Sequence, residues 1–422
     1  MTFTPSADMN ESKKIAVIGG GAAGMMAAGT ALSLGASVTI FEHMSHLGKK
    51  LAITGKDRCN VTNTASGEAL MENVTRNPRF LYSAFNSFTT EDTQTFFTSL
   101  GVKLKVERGG RVFPESDKAK DIVDALRAYC SAAEIIHEHV RSVTKNASGT
   151  LTVHTKEGEY TFGAVILATG GKSYPLTGSD GSGYAIARKL GHTVTELIPS
   201  LIPLTSPSPL PQMMQGLSLK NVGITVRDES KNELYRDFGE MMFTHFGVTG
   251  PVILSASARL RERDISRLTL SIDLKPALDE ATLDTRLLSD FKKNINRDFI
   301  NSLDGLLPQK MILPFIEYCK IDPRAKVNAI TKEQRQTILR ALKSFDIPLS
   351  GLRPIEEAII TSGGISVKEI SPKTMESRIA EGVYFAGEVI DVDAYTGGFN
   401  LQIAFSTAYL AGKSAAEKLI YE

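Results

Sequence analysis

The residues Gly19-Gly-Gly-Ala-Ala-Gly24 follow directly on the run Lys14-Ile-Ala-Val-Ile18. They lead into small and apolar residues at helical spacing, Ala22 to Leu34, which stop at Gly35, and a second run, Val38-Thr-Ile-Phe-Glu42, comes next. Strand, glycine turn, helix and strand within about thirty residues make a βαβ unit, whose parallel strands belong in a sheet covered on both faces. The spacing is G-x-G-x-x-G. Gly19 permits the tight turn, Gly21 lets a pyrophosphate approach the backbone, and Gly24 lets the helix pack on the strands. Ala22 and Ala23 open that helix, whose free N–H groups and dipole face the phosphates. Glu42 ends the second strand, where its carboxylate accepts from both ribose hydroxyls of an adenosine and repels a ribose phosphate. The motif therefore favours FAD or NAD over NADP.

Charge and cysteine usage narrow the remaining classes. Lys+Arg 48 against Asp+Glu 47 leaves +1 over 422 residues, so no global field recruits a polyanion. The expected partner is a small-molecule substrate, with no nucleic acid and no membrane; a monomer and a homodimer fit equally. At 42% hydrophobic the chain can fill two or three cores. Cys59, Cys130 and Cys319 are far apart without a CxxC pair, which excludes a disulfide scaffold and fits a reducing compartment. The polar start, Met1 to Lys14, lacks the apolar core of a secretory signal and reads as a loose tail; Ala22–Leu34 is too short to span a membrane. The expected compartment is cytoplasmic.

Further along, Asn77 to Leu100 and Asp121 to Ala133 read as helical, with a strand in Val102–Gly110. A hairpin turning at Lys156-Glu-Gly158 leads into a buried strand ending near Thr169, and Gly183 to Leu190 is helical. Pro199, Pro203, Pro207, Pro209 and Pro211 are five of the chain's seventeen prolines and mark an extended connection. Antiparallel patterning follows from Leu217 to Leu274, then a charge-laced helical stretch from Asp279 to Lys343. After Pro354 the early character returns and ends in a small-residue helix from Phe399. The simplest organisation is an α/β dinucleotide-binding domain built from both chain ends, 1–198 and 353–422, interrupted by an inserted domain, 199–352.

Three segments favour flavin over nicotinamide. Val165-Ile-Leu-Ala-Thr-Gly-Gly171 is a strand ending in a turn, placing Ala168, Thr169 and Gly170 against the adenosine half of a cofactor. Val383-Tyr-Phe-Ala-Gly-Glu388 is another, with Gly387 and Glu388 at its end and Asp391 and Asp393 just beyond; an acid there can bind ribityl hydroxyls. Thr396-Gly-Gly-Phe-Asn-Leu-Gln402 opens the last helix. Gly397 and Gly398 allow backbone contact with a planar ring, and the N–H groups of Asn400, Leu401 and Gln402 would point at the flavin N1/C2=O edge. Since no second fingerprint exists, NAD(P)H would act as a transient reductant bound in a cleft.

The same stretches carry a family resemblance. Gly48-Lys-Lys-Leu-Ala-Ile-Thr-Gly55 running into Arg58-Cys-Asn-Val-Thr-Asn63, Gly110-Arg-Val-Phe-Pro-Glu115, Ala168-Thr-Gly-Gly-Lys-Ser-Tyr-Pro175, Met242-Phe-Thr-His-Phe-Gly247, Ile360-Thr-Ser-Gly-Gly-Ile365 and Gly387 through Gln402 resemble the bacterial NAD(P)/FAD-dependent, aminoacetone-oxidase-like oxidoreductases. That family includes bile-acid dienone reductases. The resemblance runs from residue 15 to the last helix. It implies FAD in a glutathione-reductase-like (Rossmann) domain, with an insertion that is β-barrel-like (about 199–278) and then helical (about 279–352). One departure stands out: Gly55-Lys-Asp-Arg58 occupies a place where the family carries a glycine-richer turn.

Candidate chemistry lies around these motifs. Arg58, Cys59, Asn60 and Val61 would run along the pyrophosphate and isoalloxazine, with N–H and side-chain contacts to flavin; His43 and Lys50 join the cofactor set. Cys59 lacks a partner thiol and reads as a packed residue. Val140 occupies the place whose backbone brackets adenine. His245, between aromatic residues, is a candidate proton donor or acceptor, against an equal expectation that it is hydrogen-bonded in a barrel core. Tyr174 and Tyr395 are further proton-donor candidates. His43 and His46, without a carboxylate or cysteine cluster, do not make a metal site. Gly178-Ser-Asp-Gly-Ser-Gly183 is a helix-start turn, and no Ser-His-Asp order or GxSxG elbow is seen. The expected reaction is hydride transfer at flavin N5, with NAD(P)H-linked reduction of an activated C=C bond ahead of amine oxidation by O2. The rivals are a non-catalytic flavin-binding redox sensor or assembly protein and an NAD dehydrogenase without flavin.

Overall fold

Lys14–Ile18 (β1) is buried along nearly its whole length, Ile15, Ala16 and Val17 having no exposed surface at all. A strand covered on both faces fits only the middle of a layered sheet, and that is its place in this computed structural model, which describes residues 13–421. The tail read from Met1 to Lys14 lies outside the described residues up to position 12. Ala22–Ser33 (α1) and Ser37–Phe41 (β2) complete the βαβ unit. The sheet is parallel throughout, in the order Val383–Phe385, Ala164–Leu167, β1, β2, Glu134–Ile136. Chain ends far apart in sequence thus supply neighbouring strands.

The final helix, Phe399–Tyr421, lies against α1 so closely that a Cβ on Gly412 would stand 2.4 Å from the Ala27 carbonyl oxygen. Ala23, Ala27, Ala28 and Ala31 on one helix and Ala408, Ala411 and Ala415 on the other are buried. Small residues let the two backbones meet. A three-stranded antiparallel meander, Ser142–Lys145, Leu151–His154 and Glu159–Phe162, precedes the strand Ala164–Leu167. The helix expected across Asn77–Leu100 is broken. Tyr82–Ser87 ends before Phe88, and Thr90–Ser99 begins anew because the Thr89 side chain accepts from the Asp92 N–H while Asp92 caps back. That capping box starts a second helix inside the run.

Two compact units emerge: Met1–Ser200 with Ile355–Glu422, and Leu201–Pro354. The second is built around a seven-stranded antiparallel sheet. Ser218–Arg227 and Glu233–Phe243 are its long strands, paired with a bulge between Leu219 and Val222. Phe345–Pro348 pairs with Thr269–Asp273, and immediately afterwards Gly351–Leu352 pairs with Leu204–Thr205. One stretch of chain therefore joins both edges of the sheet and closes it into a barrel. The helices Glu280–Lys293, Gln309–Cys319 and Lys332–Lys343 pack on it through Leu283, Leu287, Ile312, Phe315, Ile338 and Leu342. The charge-laced stretch from Asp279 opens with the first of these, whose beginning Asp279 caps by accepting from the Thr282 N–H (2.7 Å).

Candidate functional site

The phosphate cradle is built by three glycines with different surroundings. A Cβ on Gly19 would stand 2.6 Å from the Ala168 carbonyl oxygen, and one on Gly24 only 1.8 Å from that of Gly19. At Gly21 it would meet nothing within 4 Å. The first two positions are closed by the protein itself; the third faces open space at the N-terminus of α1, where no side chain caps the helix and the first turn holds no acid. Such a cradle fits a pyrophosphate and explains why Gly21 has no side chain. Beside it, Glu42 Oε2 accepts from the Gly20 N–H (2.9 Å) and Oε1 from the Met44 N–H (2.7 Å), fixing the carboxylate at the mouth with lone pairs left for ribose hydroxyls. Thr169 Oγ1 is buried without a partner among the described residues, and a Cβ on Gly183 would collide with it at 1.9 Å.

The adenosine end is formed where the strands β2 and Glu134–Ile136 finish together, the Glu42 N–H donating to the Ile136 carbonyl (3.0 Å). His43 meets His139 there edge-on at 5.1 Å, and His139 Nε2 lies 3.5 Å from Asp180. His43 therefore pairs across the fold and not with His46; no group of metal-binding residues exists among the described residues. Val140 is buried, and neither its N–H nor its carbonyl is taken among the described residues, leaving both for an adenine edge.

At the other end of the cradle, Gly387, with φ +74, gives its N–H to Thr407 (3.0 Å). Glu388 is more heavily engaged than its motif suggests. Lys50 Nζ donates to its Oε2 (2.7 Å), while Ser173 Oγ (3.1 Å) and the Thr361 N–H (2.8 Å) donate to Oε1. Lys50 also reaches Ser173 (2.8 Å), so the lysine is part of a half-buried knot tying three segments around the acid. Asp391 and Asp393, the alternatives for ribityl hydroxyls, point elsewhere: Asp391 pairs with Arg76, and Asp393 accepts from Thr75 (2.8 Å).

The turn before the final helix meets the loop after β2. A Cβ on Gly398 would stand 2.3 Å from the Thr62 carbonyl oxygen. The Asn60 amide takes the orientation in which its nitrogen donates to the Val112 (3.2 Å) and Thr62 (3.0 Å) carbonyls and its oxygen accepts from the Gly398 N–H (3.0 Å). Asn63 Nδ2 adds a bond to the Gly397 carbonyl (2.9 Å), and the Val61 N–H donates to Val112 (2.8 Å). Asn400 folds back on the same turn, exchanging bonds with Ala394 (2.9 and 2.8 Å). The first-turn amides up to Leu401 precede the helical ladder.

Two expectations are corrected here. The Gln402 N–H is not free, because it donates to the Gly398 carbonyl (3.0 Å) as the first bond of that ladder. Its side chain is wholly buried between Thr62 (2.6 Å), Thr93 (2.8 Å), Ser406 (2.9 Å) and the Phe88 carbonyl (3.1 Å), and so fixes the helix instead of touching a cofactor. The Arg58 side chain is likewise engaged by Asp117, Glu107 and the ring of Phe113, and its N–H donates to the Gly55 carbonyl (3.4 Å). Cys59 is fully buried, and burial pushes its thiol up to about 12 despite a contact with Thr54, as a packed residue requires.

Of the proton-donor candidates, Tyr395 is half-buried with its N–H on the Asn73 carbonyl (2.9 Å), just before the Gly397–Gly398 turn. Tyr174 is 37% exposed and left-handed, at φ +54. His245 belongs to the barrel unit. It is not a core histidine: it sits exposed at the turn between Glu233–Phe243 and Gly247–Thr249, edge-on to Phe246 at 4.9 Å. The fold also assembles a Ser–His–Glu chain that no local spacing reveals. Ser377 Oγ accepts from the Ile379 and Ala380 N–H groups (3.0 and 2.7 Å), so its proton goes to His192 Nε2 (2.8 Å), and His192 Nδ1–H goes to Glu369 (3.2 Å). With the imidazole wholly buried, this chain locks loops together and is no hydrolytic site.

Residues 13–414 match the family model described as HI0933-like protein Rossmann domain. A 3-dehydro-bile acid delta(4,6)-reductase of Clostridium scindens is 32% identical over 96% of this chain and 99% of its own. A ribosomal RNA dihydrouridine synthase of Escherichia coli is 29% identical over 93% of this chain and 95% of its own. Among solved structures, a 3-ketosteroid delta1-dehydrogenase from Sterolibacterium denitrificans shares the fold with a TM-score of 0.51 at 11% identity, covering 96% of this chain and all of that one.

Proposed function

Because the chain belongs to the HI0933-like Rossmann-domain family and is an FAD-dependent oxidoreductase, we propose that it reduces a carbon–carbon double bond conjugated to a carbonyl, with NAD(P)H as the transient reductant. The observation that carries this reading is the end-to-end relationship with a reductase named for a 3-dehydro-bile acid. The second relative, named for dihydrouridine, fits the same chemistry, since the double bond of uracil is also conjugated to a carbonyl. The net charge of +1 favours a small conjugated ketone over an RNA as substrate.

Bound FAD would supply a hydride at N5. The chain's part is to bind and orient. The N-terminus of α1 with Gly21 takes the pyrophosphate, Glu42 the ribose, the backbone of Val140 the adenine, and Gly398 to Leu401 the ring edge. Glu388, held by Lys50, Ser173 and Thr361, stands beside Gly387 with its carboxylate fixed in place. A saturated product needs a proton at the carbon next to the carbonyl, and Tyr395, adjoining the cofactor turn, is the residue proposed to deliver it. Anaerobic mixing of the reduced holoenzyme with a 3-oxo-4,6-diene steroid, and separately with uridine-containing RNA, tests the reading. Reoxidation by the steroid supports it. Reoxidation by RNA alone transfers the substrate to nucleic acid, and reoxidation only by O2 supports an oxidase.

A further inference from the structure

The loop between Gly55 and Cys59 is wound in an unusual way. Gly55, Lys56, Asp57 and Cys59 have φ of +60, +57, +64 and +57. Only the first is glycine; for the other three the left-handed region crowds Cβ against the backbone. Such a run persists only where its surroundings over-determine it. Backbone bonds hold part of it: the Cys59 N–H donates to the Thr54 carbonyl (2.9 Å) and the Ala119 N–H to that of Asp57 (2.7 Å).

The remainder is held by Arg58. Its Nε and Nη2 donate to Asp117 Oδ1 (2.8 and 2.6 Å), Nη2 also pairs with Glu107, and the guanidinium lies 4.3 Å from the centre of the Phe113 ring. Lys105 occupies the other oxygen of Asp117 (2.6 Å). One exposed ion pair contributes little, but a fork on two carboxylates with an aromatic face beneath it fixes a side chain in place. Two residues past the clamp, the Asn60 amide holds the Gly398 N–H (3.0 Å).

We infer that Arg58 is a positioning residue for the flavin: its clamp on Glu107, Asp117 and Phe113 keeps the left-handed loop wound so that Asn60 fixes Gly398 where the ring binds. The inference rests on the FAD reading and adds to it a role for residues that touch no cofactor.

The test uses the full chain in four forms: wild type, R58A, R58K, and R58A combined with K56G and D57G. FAD affinity is read by fluorescence titration, the environment of the ring by the visible absorbance band, and stability by melting of the cofactor-free protein. R58A is expected to weaken FAD binding about 10-fold and to shift the band, an effect of the size seen when the outer partner of a ligand is removed. R58K is expected to recover little, since an ammonium has no fork. Glycines at 56 and 57 are expected to restore most of the affinity without the clamp, because they adopt the loop unaided. The inference is overturned if R58A melts lower yet keeps wild-type affinity and spectrum, or if the glycines restore nothing. If R58A does not fold, D117N is read by the same criteria. A wild-type chain that takes up no FAD overturns the cofactor reading and the clamp's role with it, whereas wild-type uptake with an unaffected R58A overturns the clamp alone.

Discussion

Gly387 and Ala23, from opposite ends of the chain, are in contact: a Cβ on Gly387 would stand 2.8 Å from the Cβ of Ala23. The strand that ends at Phe385 thus delivers its turn directly onto the helix that begins the molecule. Because Gly387 is also at φ +74, a side chain there meets both a strained backbone and a filled space. Gly387→Val is expected to destabilise the protein by about 2–6 kcal/mol, the sum of those two effects. Urea unfolding measures it, and a variant within 0.5 kcal/mol or so of wild type would show that the two ends are not packed this way.

Glu42 offers a different outcome, weaker binding with less damage. Its carboxylate receives the Gly20 and Met44 N–H groups at the edge of the cradle. Glu42→Ala removes charge-assisted acceptors worth about 1.5–3 kcal/mol, so FAD affinity should fall about 10- to 100-fold. Isothermal titration of the cofactor-free protein reads the change.

His192 gives the molecule a pH response. Burial lowers its pKa below the ordinary 6.5, outweighing Glu369, which acts to raise it. The folded state therefore binds fewer protons at this site than the unfolded chain. Stability is complete above the unfolded value near 6.5 and is lost as pH falls from there towards the depressed folded value, with a slope of at most about 1.4 kcal/mol per pH unit from this one group. Burial raises Glu369, but the Thr193 N–H and His192 bring it below its usual range, so it adds a further loss at more acid pH. His192→Gln should flatten the dependence between about pH 7 and 5 in denaturant titrations. An unchanged slope would remove His192 from the account.

The thiols should be silent. Burial pushes Cys59, Cys130 and Cys319 up to about 12, 11 and 12, so the nucleophilic thiolate is scarce at neutral pH. None should react with a thiol reagent until the protein unfolds, and Cys59→Ser should retain FAD. Rapid labelling of Cys59 in the native protein would contradict its burial.

What the sequence made legible was local. The fingerprint from Gly19 to Gly24 is read from spacing because a tight turn and a helix start are short-range events. The two units divide between Ser200 and Leu201, inside the cluster from Pro199 to Pro211. The engagement of Glu388 by Lys50, Ser173 and Thr361 joins four distant segments and leaves no periodicity in any of them. The chain through Ser377, His192 and Glu369 was hidden for the same reason. Gln402 and Arg58 misled because their types suit a cofactor contact, while the partners that consume them, Thr62 and Thr93 for one and Glu107 and Asp117 for the other, are set by tertiary packing. Barrel closure was beyond reach too, since one eight-residue stretch pairs with two unconnected strands.

The central claim is that one FAD lies on a cradle made by both chain ends, with its pyrophosphate over Gly21. Gly21 is the fingerprint position whose side chain would enter open space in the protein, so Gly21→Val separates cofactor from fold. The decisive measurement is FAD uptake, followed by the flavin absorbance retained after gel filtration, by wild type and by G21V, with melting of both cofactor-free proteins alongside. The account predicts one FAD per wild-type chain, none on G21V, and matching melting temperatures; a G21V protein as yellow as wild type, or a wild type that stays colourless, would contradict it.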